Sequence, residues 1–109
     1  METPRGIENA DAIAAVSGVD VLLIGTNDLT LEMGIPGQFD EPRVAAAYER
    51  VVAACKRHGK HVGMGGIYDP PTMEKYIRMG ARFVLGGSDL SFIMAGGQAR
   101  TQFLRGIQP

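Results

Sequence analysis

Three short apolar runs, each framed by glycine, constrain this chain more than any other feature. They are Val19-Asp20-Val21-Leu22-Leu23-Ile24, His61-Val62-Gly63-Met64 and Arg82-Phe83-Val84-Leu85. A glycine suited to a helix C-terminus precedes each run: Gly18, Gly59 and Gly80. Glycine adopts the left-handed conformation such an end requires. Each run then ends in small or turn-forming residues: Gly25-Thr26-Asn27-Asp28, Gly65-Gly66 and Gly86-Gly87-Ser88-Asp89. Near-continuous apolar strands of this kind belong to a parallel sheet covered on both faces.

Helical patterns fill the intervals. Glu8 to Val16 carries Ala10, Ile13 and Ala14 at helical spacing, and Pro42 to His58 carries Val44, Ala47, Tyr48, Val51, Ala54 and Cys55 on one stripe. Asp40 is the expected N-cap of the second, with Pro42 in its first turn. A third helix is expected after Asp69, with Met73, Tyr76 and Ile77 on its apolar face. A fourth is expected from about Leu90 to Arg105, capped by Asp89 and weakened by Gly96-Gly97. The order is α-β-α-β-α-β-α, the sign of repeated βα units in an α/β fold. Residues 25–41 read as one long loop, and loops of that length after a strand commonly carry function.

Composition excludes several classes of function. Eleven basic and twelve acidic side chains give a net charge of −1, so no basic field favours nucleic acid or an anionic membrane. No apolar run approaches a membrane span, and no leader pattern is visible. The one cysteine, Cys55, precludes an internal disulfide. A cytoplasmic protein is the expectation.

In parallel α/β folds, ligands bind at the C-terminal ends of strands. Asp28 lies just past the clearest strand, where a carboxylate either binds a hard divalent cation or caps a local turn or helix. Glu2 alone reads as a solvated terminal residue. If Met1-Glu2 is the end of a strand beside Val19–Ile24, however, Glu2 and Asp28 project into one mouth as a magnesium- or manganese-type pair. Gly86-Gly87-Ser88 either offers N–H groups to an anion or forms a tight joint. His58, in a helix's last turn, and His61, at a strand's start, read as structural, and Cys55 as core. No lysine stands at a strand's C-terminal end, so a Schiff base has no candidate.

The segment at 18–30, Gly-Val-Asp-Val-Leu-Leu-Ile-Gly-Thr-Asn-Asp-Leu-Thr, resembles the GVDxxxIGPxDLS segment of the HpcH/HpaI aldolases, metal-dependent class II pyruvate aldolases. Thr26 stands where proline is common. Glu2, in Met-Glu-Thr-Pro, precedes Asp28 by 26 residues, the interval associated with that family's glutamate and aspartate. Met33-Gly34-Ile35-Pro36, Gly59-Lys60, Gly80-Ala81-Arg82-Phe83-Val84 and Gly86-Gly87-Ser88-Asp89 continue the likeness across essentially the whole chain.

The resemblance implies that residues 1–109 are the C-terminal part of a (β/α)8 TIM barrel: the tip of strand five, strands six to eight and their helices. A full barrel takes about 250 residues. It implies a divalent metal ion (magnesium, manganese or cobalt) held by Glu2 and Asp28. The backbone at Gly25, Thr26 and Asn27 would help bind the carboxylate of a small-molecule 2-oxo acid. It implies cleavage of a 4-hydroxy-2-oxo acid to pyruvate and an aldehyde through a metal-stabilised enolate. The family's catalytic histidine and substrate-binding arginine lie upstream, and no residue here matches them. Family members are often hexameric, so a homo-oligomer is expected, with Leu90–Arg105 packing across a subunit boundary. The alternative is a non-catalytic barrel fragment that serves as a metal-binding or assembly module, because open sheet edges invite association. A weaker reading is a phosphate site at Gly86 to Ser88.

Overall fold

The computed structural model describes residues 1–108. Its elements run α1 (Pro4–Glu8), α2 (Ala10–Ala14), β1 (Val21–Gly25), α3 (Thr26–Glu32), α4 (Pro42–His58), β2 (His61–Gly65), α5 (Pro70–Met79), β3 (Ala81–Val84) and α6 (Asp89–Arg105). The strands form one parallel sheet in the order β1-β2-β3. Helix α4 lies between β1 and β2 in sequence, and α5 between β2 and β3. The α/β reading and the three strands therefore hold, each within two residues of its expected position.

The two faces of the sheet differ. Leu22, Ile24, Val62 and Met64 are buried in one core with Val44, Tyr48, Val51 and Cys55 of α4. Cys55 is a core residue as expected, and its Sγ lies 3.5 Å from the His61 carbonyl. On the other face Leu23 stands in register with Gly63, and Gly63 with Phe83. Phe83 remains 49 % exposed and Leu85 41 %, so this second face is apolar yet open.

Chain entry into several helices differs from expectation. The stretch Glu8–Val16 is not one helix. Thr3 caps α1 by accepting from the Gly6 N–H at 3.0 Å, and Asn9, at φ −90° and ψ 10°, separates α1 from α2. Glu41, not Asp40, caps α4: its Oε2 accepts from the Arg43 N–H at 2.7 Å, while Asp40 reaches Lys75 Nζ at 3.1 Å. Ser88, not Asp89, caps α6. Its hydroxyl accepts from the Ser91 N–H at 3.2 Å while the Ser91 hydroxyl accepts from the Ser88 N–H at 2.9 Å, a reciprocal capping box. Asp69 does cap α5, accepting from the Thr72 N–H at 3.1 Å. The expected loop 25–41 begins with α3, because Leu29 and Thr30 bury one side of a short helix. Its remainder, 33–41, folds back on α3 through the Ile35 N–H to Thr30 carbonyl bond of 2.9 Å.

Helix α6 leaves the body, and none of its residues is buried. It accounts for a shape measuring 64 × 30 × 21 Å and a radius of gyration of 17.2 Å. A compact chain of this length has a radius near 13 Å by the usual scaling, roughly 2.2·N^0.38 Å. Among the described residues no helix is long and apolar enough to cross a membrane.

Candidate functional site at the mouth of the first strand

Met1 extends along β1. Its amino group donates to the Leu23 carbonyl, and the Gly25 N–H donates to the Met1 carbonyl at 3.2 Å. These bonds lie on the side of β1 away from β2, so Met1 occupies the place of a further strand's end. Glu2 follows directly and is delivered to the C-terminal end of β1.

Gly25 shows how closely Glu2 sits. A Cβ on Gly25 would stand 2.7 Å from Glu2 Cγ and 2.9 Å from Glu2 Oε1. No larger residue fits there without displacing the carboxylate. Asp28 follows three residues later, exposed in the first turn of α3. Neither Glu2 nor Asp28 makes a hydrogen bond or ion pair among the described residues. The capping reading of Asp28 therefore finds no bond to support it: the residue at the N-cap of α3 is Gly25, with no side-chain cap.

The neighbouring strand ends complete the mouth. Asn27 lies against Gly66, where a Cβ would meet the Asn27 backbone nitrogen at 3.0 Å and Nδ2 at 3.2 Å. Gly66 also has φ of +82°, so close approach and backbone geometry both select glycine. Gly65 stands beside Leu85, whose Cδ1 would be 3.1 Å from an added Cβ. The structure thus brings Glu2, Gly25, Asn27 and Asp28 to one end of the sheet, with Thr26 beneath them.

Thr26 is fully buried, and its hydroxyl lies 2.8 Å from the Tyr48 hydroxyl. Tyr48 stacks on Tyr76 with ring centroids 4.0 Å apart, and the Tyr76 hydroxyl donates to the Phe39 carbonyl at 2.6 Å. Burial pushes the Tyr48 phenol up to about 12, with the Thr26 hydrogen bond opposing, and burial raises Tyr76 further. Both remain neutral hydroxyls. Periodicity placed the tyrosines on apolar stripes and missed their polar ends. The signal was present, since a tyrosine on a buried stripe needs a partner for its hydroxyl.

The other sequence candidates stand elsewhere. His58 Nε2 lies 3.1 Å from Asp11 Oδ1, which also receives Arg57 at 2.6 Å; hydrogen bonding to these groups lowers the Asp11 carboxyl. His61 is exposed at the opposite end of β2. The Ser88 cap closes the Gly86–Ser88 turn onto α6, and Phe92 packs against Gly87. Among the described residues no three His, Cys, Asp or Glu side chains cluster as a complete metal cage.

Comparison with known proteins identifies the chain's relatives. The HpcH/HpaI aldolase/citrate lyase family profile matches residues 1–95. A 4-hydroxy-4-methyl-2-oxoglutarate aldolase of Hapsidospora irregularis is 46 % identical over 98 residues, covering 88 % of this chain and 36 % of that protein. A 5-keto-4-deoxy-D-glucarate aldolase of Salmonella arizonae is 38 % identical over 98 residues, covering 90 % of this chain and 38 % of that protein. The chain thus spans little more than a third of the curated relatives it matches. The crystal structure of an HpcH/HpaI aldolase from Desulfitobacterium hafniense superposes with a TM-score of 0.83 at 29 % identity, covering 99 % of this chain and 42 % of that one. An HpcH/HpaI aldolase/citrate lyase family protein from Burkholderia cenocepacia gives 0.84 at 33 %, covering 95 % and 40 %. With the profile match extending from Met1 through the mouth, the sheet and the first turns of α6, the chain belongs to the HpcH/HpaI aldolase/citrate lyase family.

Proposed function

We propose that this chain carries the metal-binding part of an aldolase or lyase site that cleaves a 4-hydroxy-2-oxo acid to pyruvate and an aldehyde. The supporting observation is the placement of the Glu2 carboxylate over Gly25, with Asp28 three residues on and neither carboxylate otherwise engaged. The donor set suits a hard divalent cation (magnesium, manganese or cobalt): two carboxylates from the protein, with waters and substrate oxygens completing the shell. A cation there supplies Lewis-acid stabilisation of the negative charge that retro-aldol cleavage places on the 2-oxo acid's carbonyl oxygen.

The chain's own residues then have distinct tasks. Glu2 and Asp28 hold the ion, and Gly25 leaves the space in which Glu2 lies. The backbone at Gly25, Thr26 and Asn27 faces the substrate carboxylate. In the cleavage the C3–C4 bond breaks, the C4 hydroxyl loses its proton to give the aldehyde, and C3 takes one up to give pyruvate. No residue of this chain is assigned to those proton transfers. Residues 1–109 form one partial domain of a (β/α)8 barrel in this reading. The open apolar face bearing Phe83 and Leu85 supports it as the inner wall of such a barrel.

The test is manganese binding by the chain, followed by electron paramagnetic resonance, together with pyruvate release from 5-keto-4-deoxy-D-glucarate by a barrel that includes it. Asp28→Ala and Glu2→Ala are expected to lose both. Undiminished manganese binding by Asp28→Ala would overturn the site. A second reading, an assembly module without catalysis, is supported by the exposure of α6. Both readings include self-association through α6 as a homo-oligomer. Manganese titration beside sedimentation separates them, since an assembly module associates without binding the ion at Glu2 and Asp28.

A further inference from the structure

The turn Gly25–Asp28 is anchored from outside α3 by a single side-chain hydrogen bond among the described residues. That bond joins the Thr26 hydroxyl to the Tyr48 hydroxyl at 2.8 Å, with both residues fully buried. The remaining side-chain bond to this turn is internal to α3, from the Thr30 hydroxyl to the Asn27 carbonyl at 2.9 Å. Tyr48 is itself held on two elements. Its ring stacks on Tyr76 of α5 at 4.0 Å, and the Tyr76 hydroxyl donates to the Phe39 carbonyl at 2.6 Å. Lys75 Nζ lies 5.3 Å from the Tyr76 ring centroid and 3.1 Å from Asp40 Oδ1. One strut therefore runs from the strand mouth through α4 and α5 to the loop 33–41.

We propose that Tyr48 is a positioning residue for the candidate site: through the Thr26 hydroxyl it holds Gly25–Asp28 in place opposite Glu2. The inference rests on the metal and oxo-acid reading of that mouth and deepens it. A phenylalanine would fill the same space and keep the stack on Tyr76. It would leave the Thr26 hydroxyl buried without a partner, and a buried hydroxyl in that state moves toward water. Thr26 and Asp28 share one turn of α3, so movement of the first displaces the second. Packing alone does not require the phenol oxygen; placing Thr26 does.

The experiment compares the full chain with Tyr48→Phe, Thr26→Val, the double variant and Thr26→Ser. Two quantities are read: amide hydrogen exchange at Asn27 and Asp28 without ligand, and calorimetric binding of oxalate in the presence of manganese. Oxalate stands in for the adjoining carboxylate and oxo oxygens of pyruvate. Tyr48→Phe and Thr26→Val should each speed exchange and weaken oxalate binding by about three- to tenfold, the scale of one buried hydrogen bond. The double variant should be no worse than either single one, and Thr26→Ser should behave as the parent chain. Val51→Ala, a core change in α4, should lower the melting temperature without altering oxalate affinity. If Tyr48→Phe does not fold, Thr26→Val, which keeps the tyrosine stack, decides the question. Unchanged exchange at Asn27 and Asp28 in a folded variant, or additive losses in the double variant, would overturn the proposal. If the parent chain binds neither manganese nor oxalate, the functional reading falls, and exchange in the ligand-free chain still decides the positioning role.

Discussion

Helices α4 and α6 are both 17 residues long, and they meet opposite fates. Helix α4 buries Val44, Ala47, Tyr48, Val51, Val52, Ala54 and Cys55, while α6 buries nothing. The difference lies in pattern. The apolar residues of α4 recur at three- and four-residue spacing and make one stripe against the sheet. Those of α6 occupy more than one side: Leu90, Ile93, Met94 and Leu104 follow one stripe, and Phe92 and Phe103 lie off it. A helix apolar on two sides needs two covering surfaces, whereas the sheet edge offers none. Exposed apolar area of this extent is what the self-association proposed for α6 would cover. The contrast separates a helix that stabilises this body from one that the body leaves uncovered.

The largest effect should come from placing charge on an apolar side chain of each helix. Val51→Asp puts an unpaired carboxylate into the core and should cost more than about 4 kcal/mol, enough to abolish cooperative urea unfolding. Ile93→Asp, at a site 70 % exposed, should move the unfolding midpoint of the body by no more than about 0.5 kcal/mol. The same substitution, paired with Phe92→Asp, should reduce self-association measured by sedimentation velocity. A change in the body's unfolding midpoint as large as that of Val51→Asp would show that α6 packs on its own body.

Glycine-to-alanine exchange sharpens the contrast through the backbone alone. Gly59 ends α4 in the left-handed conformation at φ +65°, and a Cβ there would meet nothing within 4 Å. Gly59→Ala should therefore destabilise by about 1 kcal/mol through strain alone. Gly96 lies inside α6, also with nothing within 4 Å. Gly96→Ala should raise helicity, by up to about 1 kcal/mol of local stability. Opposite signs in circular dichroism melts would confirm that the two glycines serve different ends. A destabilising Gly96→Ala would mean that a neighbouring chain approaches the helix there.

Much of this architecture was legible in the sequence because burial leaves a periodic trace. The apolar runs located the strands, and the stripe from Val44 to Cys55 located α4 with both its ends. The joining of Glu2 and Asp28 at one mouth followed from strand order together with family resemblance, since neither carboxylate carries a local pattern. What escaped was set by contacts between distant segments. The Thr26–Tyr48 bond joins residues 22 apart, and no local rule pairs them. The caps at Glu41 and Ser88 depended on which of two adjacent polar residues turns inward. Helix α3 was hidden because a seven-residue helix is decided by Leu29 and Thr30 docking on the sheet rather than by propensity.

The smallest effect concerns those same caps. Helix α4 begins at an ionisable residue, Glu41, whose carboxylate accepts from the Arg43 N–H at 2.7 Å and its Nε at 2.9 Å. The hydrogen bond from the Arg43 side chain holds the Glu41 carboxyl below its ordinary value. Helix α6 begins at Ser88, whose hydroxyl does not titrate in the working range. A group depressed in the folded state adds stability above its unfolded value and loses it as pH falls through the folded one. Acidification from pH 5 downward should therefore loosen the first turn of α4 before that of α6, with faster amide exchange at Arg43 and no matching change at Ser91. Glu41→Gln should remove this pH dependence while keeping an acceptor for the Arg43 N–H. If Arg43 and Ser91 respond alike to acid, the charge on Glu41 is not what distinguishes the two helix starts.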